Sequence, residues 1–153
     1  MRPATRIAAR TAAAALVAIA LAAATGEAAV RTMLPLLGAA FARLAPDFRL
    51  LSLTVDSTGT DRALRAEVTL ARAVVAGGRA YLPDPRGQAV ASMPAGHALF
   101  APLVAGVVLL AWPAATRREH ALRAAVALPL LVALVALDTP AVLAAMLWAT
   151  FPD

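Results

Sequence analysis

The chain of 153 residues contains no cysteine and no lysine. Without cysteine there are no disulfides, no thiolate metal sites and no cysteine nucleophile. The compartment stays open, because an exported protein need not carry disulfides. Without lysine, all 14 basic residues are arginines; against 9 acids they leave a net charge of +5. We read the heavy use of alanine and arginine as a genome-wide codon bias. Aromatic residues make up only 5%, and the arginines are scattered. A nucleic-acid surface gathers its basic residues on one face with rings to stack bases, so nucleic acid is excluded as a partner. Charge of either sign is also scarce, at 15% of residues, where soluble domains carry roughly a quarter.

What is abundant is apolar side chain, 61% of the chain. A soluble domain this small has too much surface to cover with so few charges. The apolar residues fall into three blocks, 11–26, 95–113 and 121–150, separated by polar stretches. Membrane segments are distributed in this way; a mixed core is not. The expected fold class is a mainly α membrane protein. It has about three transmembrane helices, with room for a short fourth, and carries a small extracytoplasmic amphipathic helix and β-meander.

Arg2, Arg6 and Arg10 make residues 1–10 a basic N-terminus without an acid, the mark of a cytoplasmic end. Residues 11–30 form the first transmembrane helix or a signal peptide. Its closing stretch LAAATGEAA, Leu21 to Ala29, offers an Ala-x-Ala pattern for cleavage. Poly-alanine satisfies that pattern at many positions, and we read the segment as an uncleaved anchor. The second span, 94–113, has no charge between Ala98 and Trp112, with His97 and Trp112 at its ends. In residues 114–123, Arg117, Arg118 and Arg123 outnumber Glu119, giving a second cytoplasmic marker. Two crossings place both basic clusters on one side. The third span covers 124–138. Asp138-Thr139-Pro140 reads as a helix start, so 139–153 is expected to be a short interfacial or returning helix anchored by Trp148; one long kinked helix is the competing reading. The setting is the inner membrane of a bacterium, with 31–93 outside the cytoplasm.

Within 31–93, Leu34, Leu37, Phe41 and Leu44 recur at helical spacing. They predict a short amphipathic helix lying on the membrane or packed on the small domain that follows. From Phe48 the period changes to two. LSLTVD and RAEVTL alternate apolar and polar residues around the turn DSTGTD, centred near Gly59. Gly77-Gly78 and DPRG are further turns. A meander of two or three strands is marginal alone and needs a surface to lean on.

No catalytic constellation is visible. His97 and His120 fall on opposite sides of the membrane by this threading and cannot share a metal. Ser52, Ser57 and Ser92 fit no nucleophile-elbow or Ser-x-x-Lys pattern. Gly77-Gly78 has no following lysine or helix start to make a phosphate cradle. No catalytic residue, cofactor or metal ligand is expected. The candidate partner contacts are Leu37, Phe41 and Leu44 on the amphipathic helix, and Ala105-Gly106 on the second span, where small residues permit close helix approach.

In order and character most of the chain resembles the exosortase-associated small membrane proteins, in particular the exosortase H-associated type. The likeness is carried by the basic first helix, by LPLLGAAFARLAPDFRLLSL leading into a strand, and by the hairpin RAEVTLARAVV. It continues through the re-entry at SMPAGHALFAPLVAGVVLLAWP. The resemblance implies a non-enzymatic accessory role beside a larger membrane protein, a peptidase that sorts proteins to the bacterial surface, and it carries no catalytic residues. The alternatives are a small transport or channel subunit, or an envelope protein with no sorting role.

Overall fold

The computed structural model describes residues 3–58, 61–84, 86–112 and 116–151. In chain order the elements are helix α1 (Pro3–Leu44), strands β1 (Phe48–Thr58), β2 (Asp61–Leu70), β3 (Val74–Ala76), β4 (Arg79–Tyr81) and β5 (Ala89–Pro94), then helices α2 (Ala95–Ala111) and α3 (Arg117–Trp148).

Nothing between the first apolar block and the Leu37 stripe breaks the helix, so both belong to one element of 42 residues. At about 1.5 Å per residue it is about 63 Å long, twice the thickness of a hydrocarbon core of about 30 Å. Gly26 does not break the helix: a Cβ built on it would lie 2.6 Å from Leu99 Cδ1 of α2, so α2 approaches α1 closely there. Glu27, beside it, pairs with Arg31 at 2.6 Å and with Arg62 of β2 at 2.9 Å. Thr25 donates its hydroxyl to the Leu21 carbonyl at 2.8 Å. The stretch LAAATGEAA is therefore continuous helix tied to two other elements.

β1, β2 and β5 form an antiparallel sheet in that order, and β3 and β4 a separate hairpin. Phe48, Leu50, Leu53 and Val55 of β1 join or border the core. A register shift between Leu50 and Ser52 keeps both pairs on one face. Leu51, expected on the apolar face, takes up the bulge and is exposed. Gly77 and Gly78 have φ of 54° and 72°, the left-handed pair that a two-residue hairpin turn requires. Gly59 lies outside the described residues. Strand β5 was not expected; it pairs with β2 from Val68↔Ala89 to Ala63↔Pro94 and delivers the chain into α2.

The expected break at Asp138-Thr139-Pro140 is absent. Helix α3 runs for 32 residues through Pro129 and Pro140, so 124–138 and most of 139–153 are one helix. Its N-terminus is Thr116, whose hydroxyl accepts from the Glu119 amide at 3.2 Å, and the basic segment expected as a loop forms its first turns. Val135 and Leu143, on either side of the Thr-Pro pair, are both buried in the sheet's core. Continuous packing outweighs the local capping signal.

The molecule thus has a head and a stem. In the head, one sheet face, with Leu64, Ala66 and Val68 of β2 and Ala91 and Met93 of β5, packs on Val30, Leu37 and Phe41 of α1 and Val135, Leu143 and Leu147 of α3. In the stem, α2 leaves the sheet beside Gly26 and packs along the N-terminal half of α1, and α3 returns beside both. The end of α2 and the start of α3 therefore lie at the stem's far end, with the start of α1. Helices α1 and α3 are each long and apolar enough to cross a membrane; α2, at 17 residues, is shorter.

Candidate functional site

The stripe expected to meet a partner is largely occupied by the chain itself. Leu37 and Phe41 are each 1% exposed within the core, and Leu34 packs against it. Of the two settings open to this amphipathic segment, the small domain is the one it takes. Leu44, at the end of α1, remains exposed.

Ala105 and Gly106 lie mid-way along α2. Ala105 borders an apolar groove shared with α3. A Cβ added at Gly106 would meet nothing within 4 Å, so no element of this chain uses its lack of a side chain. On the side of the helix away from Gly106, Phe100, Val104, Val108 and Trp112 recur every fourth residue, and all four are exposed. On a helix that spacing is one face, and it is uncovered. The close helix contact that glycine permits is made instead at Gly26, which the cleavage-like pattern around it disguised.

At the other end of the molecule four rings meet. Phe48 stands edge-on to Trp148 with centroids 5.3 Å apart, and Tyr81 stands edge-on to Phe151 at 4.9 Å. Phe151 also lies 5.8 Å from Trp148. Trp148, expected as an interfacial anchor, is thus part of the head's own packing. Tyr81 belongs to β4, so the cluster tethers the β3–β4 hairpin, whose Val75 and Leu82 are exposed. Arg72, just before the hairpin, pairs with Asp47. Asp84 holds the following loop: its backbone carbonyl accepts from Thr69 Oγ1 at 3.0 Å and its carboxylate from the Arg86 amide at 2.8 Å.

The polar face of the sheet carries Ser52, Thr54, Arg65 and Glu67. Ser52 Oγ donates to Glu67 Oε2 at 3.1 Å, and Arg65 sits 3.3 Å from Glu67 Oε1. Both carboxylate oxygens are engaged, one across the strands by Ser52 and one along β2 by Arg65, and such pairs stabilise a sheet face. His97 is exposed on the first turn of α2, and His120 belongs to α3. Among the described residues no three of His, Asp and Glu are grouped to hold a metal ion. Among the described residues, the surfaces left for function are the Phe100–Trp112 stripe of α2, the α2–α3 groove and the β3–β4 hairpin.

The chain matches no family model, and no curated protein and no solved structure is significantly similar to it.

Proposed function

We propose that the protein is a non-enzymatic, integral membrane accessory protein whose stem packs beside a larger membrane partner and whose head presents the β3–β4 hairpin outside the cytoplasm. The observation that carries this reading is where the uncovered large apolar side chains lie. Leu16, Val17, Ile19 and Leu21 of α1, the Phe100–Trp112 stripe of α2, and Leu122, Val126, Leu128, Leu130, Val132, Leu134 and Leu137 of α3 are exposed. Soluble monomers rarely expose contiguous apolar surface on this scale, whereas lipid covers it at no cost. Helices also satisfy their own backbone groups, as a bilayer demands. Residues 3–10 and 117–123, which include Arg6, Arg10, Arg117, Arg118 and Arg123, belong to the end of the stem away from the head, which favours a cytoplasmic N-terminus.

The partner class follows from the resemblance to exosortase-associated proteins: a membrane peptidase that sorts proteins to the surface of a bacterium. The uncovered α2 stripe supplies an apolar face on which another span can pack, and the open space at Gly106, on the opposite side of the helix, permits a second close approach. The test is two-fold. Alkaline carbonate should leave the protein in the membrane pellet. Extraction in mild detergent, after crosslinking, should recover it with a larger membrane protein. Release by carbonate would overturn the membrane reading, and a chain that runs alone would overturn the accessory one.

A further inference from the structure

We infer that the groove between α2 and α3 is a binding site for one anionic phospholipid of the inner leaflet; this rests on the membrane reading above. The groove has a volume of about 610 Å³ and is lined by Ala105, Leu109, Leu122, Val126, Ala127 and Leu130, among others. Among the described residues Arg123 is the one charged residue in its wall. From Leu122 to Leu130 the wall is about 12 Å long at about 1.5 Å per residue, the depth of one leaflet's hydrocarbon, about 15 Å. It suits an acyl chain entering from one side.

The charges at its mouth select the head group. Leu122, Val126 and Leu130 form one row along α3 at four-residue spacing, and Arg118 stands one turn above Leu122 in the same row. Arg118 is exposed. Arg123 reaches across to the end of α2, its Nη1 3.4 Å from the Trp112 carbonyl oxygen, and also pairs with Glu119. Among the described residues Glu119 is the only acid in these first turns, so the mouth keeps an excess of positive charge. An apolar slot of leaflet depth below two guanidiniums has the shape and charge of a diacyl lipid bearing a phosphate with no compensating amine. A zwitterionic lipid would bring an ammonium into the same place.

The experiment uses the full chain in vesicles of equal phosphatidylglycerol and phosphatidylcholine, released into mild detergent for native mass spectrometry. Phosphatidylglycerol should be retained over phosphatidylcholine by about fivefold for each arginine engaged. Arg118→Gln should cut that preference by about fivefold. Ala127→Phe, which fills the groove and leaves the charges, should abolish retention of both lipids while the thermal melt remains cooperative. Equal retention of the two lipids by the unaltered protein, or a preference that survives both substitutions, would overturn the site. Flotation with pure phosphatidylcholine vesicles separates the two readings: a protein that floats without lipid preference loses only this inference, and one that does not float loses both.

Discussion

The two halves of α1 are built from similar residues and end up in opposite circumstances. From Thr11 to Leu21 the helix is alanine with Leu16, Val17, Ile19 and Leu21, and these large side chains are uncovered, Leu16 to 70%. From Val30 to Phe41 the helix carries Val30, Leu37 and Phe41, each 1% exposed. No break in the backbone separates them. What differs is the neighbour: a sheet and the end of α3 cover the second half, and the chain supplies only partial cover to the first. Hydropathy measures the wish of a side chain to leave water. It does not say whether protein or lipid will receive it.

The contrast is broken or upheld most strongly by truncating one residue in each half. Phe41→Ala should destabilise the head by about 3–5 kcal/mol, the range for emptying a buried aromatic site. Leu16→Ala should change it by less than about 0.5 kcal/mol, as exposed positions do. Thermal melts of the detergent-solubilised protein, read by circular dichroism, compare the two. Similar losses would mean that the stem's first half is packed as tightly as the head.

The glycines give a second, smaller version of the comparison. Gly26→Leu places a side chain where even a Cβ would lie 2.6 Å from Leu99 Cδ1. Leu99 is flexible at that end and can yield to a methyl, but not to an isobutyl group, so the cost should be about 1–3 kcal/mol. Leu99→Ala in the same chain should recover most of it. A methyl at Gly106 meets nothing within 4 Å, so Gly106→Ala should leave the melt unchanged, yet weaken recovery of the partner if another span packs there. A Gly106→Ala chain that melts early would place Gly106 inside the fold. One that recovers its partner undiminished would remove Gly106 from the contact surface.

Much of this organisation was legible in the sequence. The apolar blocks, the change of period at Phe48 and the Gly77-Gly78 turn are local signals, and each was realised. What failed were inferences that depend on a distant neighbour. Ala89–Pro94 becomes a strand because β2 offers it an edge, and nothing within AVASMP announces that partner. Asp138-Thr139-Pro140 has the chemistry of a helix start, but Val135 and Leu143 are both required by the same core, and only a continuous helix delivers both. The stripe Leu34, Leu37, Phe41 was readable as a stripe; what it faces was not, since water, lipid and sheet demand the same spacing. Of the candidate contacts, Ala105 and Gly106 are half-buried while Phe100, Val104 and Val108 face outward, a property of helix rotation rather than of composition.

The smallest expected effect lies where head and stem share α3. Thr139 is fully buried, and its hydroxyl has no hydrogen-bond partner. Elsewhere in this protein helical threonines solve that problem by donating to the carbonyl four residues back, as Thr25 does to Leu21 and Thr32 to Ala28, both at 2.8 Å. Thr139 does not, and Pro140 beside it already removes one helical hydrogen bond. A buried hydroxyl without a partner costs about 1–3 kcal/mol. Valine has the same shape and no polar atom, so Thr139→Val should raise stability by about 1 kcal/mol, read as a higher melting temperature with unchanged helix content. Thr139→Ser, which keeps the hydroxyl and loses the methyl, should lower it. If valine instead destabilises the head, the hydroxyl is satisfied in the working protein by a group that the isolated chain does not provide. The junction would then be a contact surface, and the division between a self-covered head and a partner-covered stem would have to be moved along α3 to include it.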